Sequence, residues 1–172
     1  MPKTQTIKRL TCVLAGIMVF GIFLLLWPEI SLAEEPLYVG AIKCKGCHKK
    51  EYAAWMKEKH SKAMSALNAE EQKNPKCLEC HTTGYGKAAK PTAKLENVQC
   101  ESCHGPASLY KTTKIMSKKK YKKDPKKAHQ MAVAAGLIEP DEKACIQCHN
   151  DRAPTFKGFD FKATIEKVNH KD

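Results

Sequence analysis

The sequence predicts a small, mostly α-helical and loop-rich fold for a chain of 172 residues. Helix start signals such as Asp124-Pro125 precede stretches in which apolar residues recur at helical spacing. Many of the leucines, isoleucines and valines lie in one block, Leu10 to Trp27, and the remainder of the chain is rich in lysine. That remainder cannot bury a large apolar core with its own side chains, so something other than polypeptide must fill the interior.

Residues 1–33 have the pattern of an export signal. Three basic residues precede the apolar block, and the small-residue stretch Ser31-Leu32-Ala33 follows it. Cleavage there would leave one domain, residues 34–172, with eight of the nine cysteines. The block is also close to the minimum length for a membrane span, so an uncleaved membrane anchor is the alternative. Both interpretations place the domain in the periplasm or on the periplasmic face of the inner membrane, with the extracellular space less favoured, and both exclude a cytoplasmic enzyme.

All eight cysteines of this domain fall into four copies of a Cys-x-x-Cys-His motif, which attaches c-type haem. Two thiols three positions apart share one face of a helical turn, so each can form a thioether with the same porphyrin, and the histidine that follows can ligate the iron. Zinc sites, redox dithiols and disulfides do not require a histidine after each cysteine pair. The sequence therefore predicts four covalently attached haem c groups. The residues are Cys44, Cys47 and His48; Cys77, Cys80 and His81; Cys100, Cys103 and His104; and Cys145, Cys148 and His149.

Four haems shared among so few residues cannot each be enclosed separately, so they must pack against one another. The predicted architecture is therefore a small multihaem cytochrome c fold in which stacked haems form the core. Their propionates would offset much of the polypeptide's net charge of +12.

Three further histidines, His60, His129 and His170, are candidates for the sixth iron position. Each could instead be a surface, packing or frayed-end histidine. If all three ligate iron, three haems have two histidine ligands. The fourth haem is then five-coordinate, or it takes a Met, Tyr, Lys or neighbouring-chain ligand.

Helical segments are predicted around all three histidines. Residues 50–67 form a helix through the first of them. Asp124 and Pro125 start a helix through the second, and Gly136 ends it. Residues 160–170 form a segment with an apolar stripe that ends at the third.

The chain resembles the tetrahaem cytochrome c-554 family, electron carriers of ammonia-oxidising bacteria that serve hydroxylamine oxidoreductase. The resemblance is carried by the motifs and by residues around them: Trp55, His60 and Ala63-Met64 after the first, Gly84-Tyr85-Gly86 after the second, Gly105-Pro106 after the third, and the tail over residues 155–170. A lysine-rich stretch before His129 departs from the family pattern, and the chain is shorter than the family's carriers. These departures favour a distinct branch with another partner.

The resemblance also implies a ligand set. In the family the second haem of the chain is five-coordinate, and here His81 would hold it. The implied pairs at the other haems are His60 with His149, His170 with His104, and His129 with His48.

The segment Lys118–Lys127 is lysine-rich, broken by Tyr121 and the Asp124-Pro125 turn. An exported haem protein rarely meets nucleic acid, so two other interpretations remain open. The lysines belong to a solvated loop that balances propionates, or they form a docking patch for an acidic redox partner.

The predicted function is that of an exported tetrahaem cytochrome that relays single electrons between redox partner proteins, and so of an electron-transfer protein rather than an enzyme. One alternative is a reductase of nitric oxide or nitrite at the open haem of His81, although the sequence shows no distal Arg–His pair to support the chemistry. The other is a subunit of an extracellular haem filament, in which a neighbouring chain supplies the missing ligand.

Overall fold

A computed structural model of the protein describes residues 34–87 and 93–170. The predicted export segment, residues 1–33, lies outside the described residues, and its cleavage or anchoring stays a prediction. Glu35–Asp172 forms one compact unit. None of the helices in the described part of the chain has the length and apolar composition needed to cross a membrane.

The described residues form short helices joined by loops, with one isolated antiparallel bridge between Thr82 and Glu96 and no strand. The prediction of a mostly helical, loop-rich fold is therefore confirmed. The α-helices are α1 (Lys49–Trp55), α2 (Pro75–His81), α3 (Cys100–His104), α4 (Lys118–Lys123), α5 (Pro125–Ala134), α6 (Glu142–Ile146) and α7 (Phe161–Val168). Shorter 3-10 segments span Ala41–Lys43, Lys59–Ala66, Glu71–Lys73 and Ala93–Leu95.

Polar caps that are visible in the sequence set the starts of four helices. Each cap side chain accepts a hydrogen bond from a backbone N–H two or three positions further on, which satisfies a donor that the helix itself leaves unpaired. The predicted start of α5 at Asp124-Pro125 is confirmed, and Gly136 follows its end with φ of 100°. The caps of α2, α5, α6 and α7 are Asn74, Asp124, Asp141 and Asp160.

The single helix predicted over residues 50–67 is wrong. Helix α1 ends at Trp55, Glu58 is extended with φ of −80° and ψ of 157°, and a separate 3-10 segment follows over Lys59–Ala66. The Ser61 hydroxyl donates to the carbonyl oxygens of Met56 at 3.1 Å and Glu58 at 2.8 Å. Such a local side-chain bond competes with the helical hydrogen bonds, and it accounts for the break.

Little apolar surface is buried by the polypeptide alone. Among the described residues, the buried hydrophobic side chains are mostly alanines, and the largest side chains that are fully buried are the polar Glu101 and Thr83. A chain of this size normally needs a larger apolar interior, so the arrangement fits the prediction that a cofactor fills it. The buried hydrophobic residues are Ala41, Leu95, Ala107, Tyr110, Ala128 and Ala132.

The polar centre is fully hydrogen-bonded. The Glu101 carboxylate, 1% exposed, accepts from the backbone N–H groups of Val39, Gly40 and Ala107 at 2.7–3.0 Å. No buried side-chain nitrogen or oxygen in the described part of the chain lacks a partner. Because Glu101 lies inside the third motif, it joins that motif both to the N-terminal segment and to the turn that follows.

Gly105 closes the third motif in a conformation that disfavours other residues. Its φ is 75°, and a Cβ atom there would lie 2.7 Å from the Gly136 carbonyl oxygen. We expect Gly105→Ala to lower the free energy of unfolding by about 2–3 kcal/mol, because strain and overlap add. Thermal unfolding of the haem-loaded protein measures this. The control is Gly46→Ala, where a Cβ would meet no atom within 4 Å; equal losses in both variants would contradict the explanation.

Candidate haem-binding sites

Each Cys-x-x-Cys-His motif forms about one helical turn. The second motif lies within α2, the third makes up α3, and the fourth begins in α6. In the first motif the His48 amide donates to the Cys44 carbonyl at 2.9 Å, and in the fourth His149 donates to Cys145 at 3.0 Å. This i to i+4 bond brings two cysteines onto one side of the turn, as thioether attachment to one porphyrin requires.

The cysteines of different motifs lie near one another, and all eight are free thiols. A hydrogen bond with Cys100 raises the pKa of Cys44, together with burial, and the same contact lowers the pKa of Cys100. Burial and nearby Cys80 raise the pKa of Cys148, so the second and fourth motifs also adjoin. This convergence supports the prediction that the haems pack against one another.

Two of the three implied histidine pairs have their rings close together, with the ring planes 64° and 65° apart. The ring centroids of His60 and His149 are 6.0 Å apart, and those of His104 and His170 are 6.2 Å apart. Imidazole nitrogens that each lie about 2.0 Å from one metal ion would place their ring centroids roughly 6.3 Å apart. Both pairs therefore have the spacing of two axial ligands on one iron.

Backbone contacts orient the histidines of the second and third motifs. His81 Nδ1 lies 2.6 Å from the Ala63 carbonyl oxygen, and His104 Nδ1 lies 3.3 Å from that of Ile138. With Nδ1 protonated, each ring donates to a carbonyl and keeps its Nε2 lone pair available for a metal. Sequence reasoning missed these carbonyls, because no residue type marks a backbone acceptor.

Contacts with residues 97–98 position His60. The Val98 amide donates to the His60 carbonyl at 3.1 Å, and the Trp55 indole donates to the Val98 carbonyl at 2.9 Å. Burial and then the nearby His149 lower the pKa of His60. The neutral imidazole, which is the form that ligates metals, is therefore favoured there.

The third implied pair is arranged differently. His129 Nε2 lies 3.2 Å from Glu139 Oε1, and His48 Nδ1 lies 3.8 Å from Glu51 Oε1. The structure thus places His129 against a carboxylate and shows no ring contact between it and His48. The pairing of His48 with His129 stays a prediction.

One aromatic contact was not expected from the sequence. The Phe159 ring stacks on His149 with centroids 4.8 Å apart and planes 20° from parallel. It fixes the face of an imidazole that the fourth motif supplies. A single phenylalanine between a glycine and an aspartate has no spacing signal that would have identified it.

The described residues fit haem c. They provide free cysteine pairs in helical turns, histidines with available Nε2 atoms, two histidine pairs at the spacing of axial ligands, and a small polypeptide core. Within the described residues, no group of three or more His, Cys, Asp or Glu side chains is placed so that it could hold a metal ion by itself.

Comparisons with known proteins agree with the motifs. Residues 43–105 match the family described as cytochrome c554 and c-prime. Cytochrome c-554 of Nitrosomonas europaea is 30% identical over 151 residues, which cover 74% of this chain and 64% of that relative. The chain therefore spans less than two thirds of the relative's length.

A solved structure shares the fold. The reduced state of cytochrome c554 from Nitrosomonas europaea superposes with a TM-score of 0.55 at 22% identity, over 78% of this chain and 79% of the other. The resemblance predicted from the sequence is confirmed: residues 43–105 match the pattern of the cytochrome c554 and c-prime family, and the chain is similar to cytochrome c-554.

Proposed function

We propose that this chain is an exported tetrahaem c-type cytochrome that carries single electrons between redox partner proteins. The observation that carries the proposal is the spacing of the histidine pairs, 6.0 Å for His60 with His149 and 6.2 Å for His104 with His170. The relation to cytochrome c-554 supports it. Export rests on the pattern of residues 1–33.

Different side chains of the protein would bind the porphyrin and the iron. The cysteine pairs of the four motifs would hold haem c covalently, and the motif histidines would bind iron from one side. Bound haem supplies a reversible ferric–ferrous couple. The second histidine of a pair would give the haem iron two histidine ligands, which suits electron transfer. By the count of histidines one motif histidine has no partner, and the family resemblance implies that it is His81.

The lysine-rich segment supports contact with acidic partners. The lysines of α4 are exposed, and Lys118 lines a depression together with Cys47 and His48. A field of this sign attracts an acidic protein to the neighbourhood of the first motif and raises the rate of encounter. Brief, steered encounters are what an electron carrier requires.

The number of covalently attached haems, measured from the intact mass of the protein, tests the proposal. Expressed with the cytochrome c maturation machinery, the protein should carry four haems, and dithionite and ferricyanide should reduce and reoxidise them reversibly. Cys145→Ala combined with Cys148→Ala should remove the mass of one haem, because the fourth motif then has no thiols. The control is Lys143→Ala combined with Gln147→Ala, which alters the same segment, leaves both thiols in place and should remove none. A wild-type mass with fewer than four haems, or no reversible visible-band change, would sink the proposal.

A further inference from the structure

One peptide group, between Ala63 and Met64, connects His81 to the turn before the third motif. The carbonyl oxygen of this peptide lies 2.6 Å from His81 Nδ1. Its N–H, which belongs to Met64, donates to Asn97 Oδ1 at 2.9 Å. Because a carbonyl oxygen can only accept, Nδ1 is the donor. A chain of two hydrogen bonds therefore runs from the imidazole through the peptide to Asn97.

The backbone around Asn97 fixes the position from which its side chain reaches Met64. Its φ is 70°, and it is the only described residue other than glycine with a positive φ. Asparagine tolerates this conformation better than most residues do. The Asn97 carbonyl accepts from Thr83 Oγ1 at 2.8 Å, and the next amide, Val98 N–H, donates to the His60 carbonyl at 3.1 Å. The peptide after Asn97 is thus bonded at both ends.

Thr83 completes a ring of contacts around the second motif. It follows His81 by two positions and is 1% exposed, so its bond to Asn97 is shielded from water. The bond to the imidazole lies at Nδ1, whereas Nε2 is the atom left for the iron. A bound haem therefore does not compete with these hydrogen bonds.

The hydrogen bond at Nδ1 affects how strongly His81 would donate electrons to iron. An imidazole that donates from its other nitrogen is a more basic ligand with a fixed ring orientation. Hydrogen bonds in a chain polarise one another, so the bond from Met64 N–H to Asn97 makes the Ala63 carbonyl a better acceptor. Hydrogen bonding of this kind is one of the means by which a protein adjusts the potential of a haem.

We infer that Asn97 is a positioning residue for His81, and that it sets the basicity of the iron ligand at the haem implied to be five-coordinate. The inference rests on the proposed electron-transfer function and adds a residue that adjusts one of the haems. A residue that only formed the turn would need to tolerate a positive φ, which glycine also does. The side-chain oxygen is what the proposed role requires in addition.

Resonance Raman spectroscopy of the fully reduced, haem-loaded protein tests the inference through the iron–histidine stretching band, which a five-coordinate ferrous haem gives. Asn97→Gly keeps the positive φ and removes the acceptor. Its band should shift to lower frequency, and the midpoint potential of that haem should become more positive, because His81 donates less. Asn97→Asp retains an oxygen for Met64 N–H and should keep the wild-type band position.

The control is Asn68→Gly. Asn68 Oδ1 also accepts from backbone N–H groups, those of Glu70 and Glu71 at 3.0 Å, but in an exposed loop. Its removal should change neither the band nor the potential.

Three outcomes would overturn the inference. They are a wild-type band position in Asn97→Gly, an equal shift in Asn97→Asp, and the loss of a low-spin haem in Asn97→Gly, which would mean that the turn and His60 had moved together. A wild-type protein without the band would also overturn it, since no five-coordinate haem would be present. In each case four haems and reversible reduction leave the electron-transfer function standing, whereas a wild-type protein that cannot be reversibly reduced rejects that function.

Discussion

His60→Ala is expected to convert one low-spin haem to a high-spin haem while all four haems stay attached. His60 faces His149 with ring centroids 6.0 Å apart, so its removal would leave the iron of the fourth motif without a sixth ligand. The attachment cysteines are unchanged, so haem content should not fall. Electron paramagnetic resonance of the oxidised protein, with spins quantified against haem, measures the change, and intact mass measures attachment.

A neighbouring exposed residue provides the control. Lys59→Ala alters the same 3-10 segment without removing an imidazole, and the spin count should match the wild type. His170→Ala should produce a second, independent conversion at His104, where the centroid distance is 6.2 Å. If the spin count after His60→Ala equals that of the wild type, His60 is not a ligand and the assignment by family resemblance fails at that haem.

Glu101→Ala is expected to cost about 3–5 kcal/mol of unfolding free energy, the largest single loss of stability that this structure indicates. The carboxylate accepts bonds from three backbone N–H groups at a site that is 1% exposed. Truncation leaves those donors buried without an acceptor, which costs more than the bonds themselves contribute. Thermal or denaturant unfolding of the haem-loaded protein gives the change.

Glu79→Ala is the matched control, because Glu79 also lies between the two cysteines of a motif. Its carboxylate meets Arg152 at 3.2 Å, and both side chains are largely exposed. An exposed ion pair contributes about 0–1 kcal/mol, so this variant should unfold almost as the wild type does. A loss at Glu101→Ala as small as that at Glu79→Ala would show that the buried amides find other acceptors.

The parts of the fold that the sequence predicted correctly depend on local sequence patterns. The Cys-x-x-Cys-His spacing indicated helical turns, and these occur at all four motifs. Asp124 and Pro125 start α5 as a side-chain cap and a residue without an N–H should. Both depend on neighbours within four positions, so they can be read from the chain directly.

The parts that could not be predicted depend on side-chain hydrogen bonds, local or distant in sequence, that residue type and spacing do not specify. Helix α1 stops before the 3-10 segment because the Ser61 hydroxyl binds nearby carbonyls, whereas the apolar spacing favoured one continuous helix. The buried role of Glu101 depends on amides 62, 61 and 6 positions away. The charged residue looked like any exposed glutamate in the sequence.

The candidate iron ligands could also be predicted from the sequence only in part. The sequence contains three histidines beyond the motifs, but their spacing assigns none of them to a particular haem. The histidine pairs were inferred from the family resemblance. The structure brings His60 to His149 and His170 to His104, and it places His129 beside Glu139. The last contact depends on the turn after α5, which no local pattern specifies.

Quantified electron paramagnetic resonance of the oxidised wild-type protein, after size exclusion and with haem content measured independently, tests the central proposal most directly. Three histidines beyond the motifs predict three low-spin haems and one high-spin haem, and the family resemblance implies that the high-spin haem is the one at His81. Four low-spin haems, or two or more high-spin haems, would contradict the proposed ligand set.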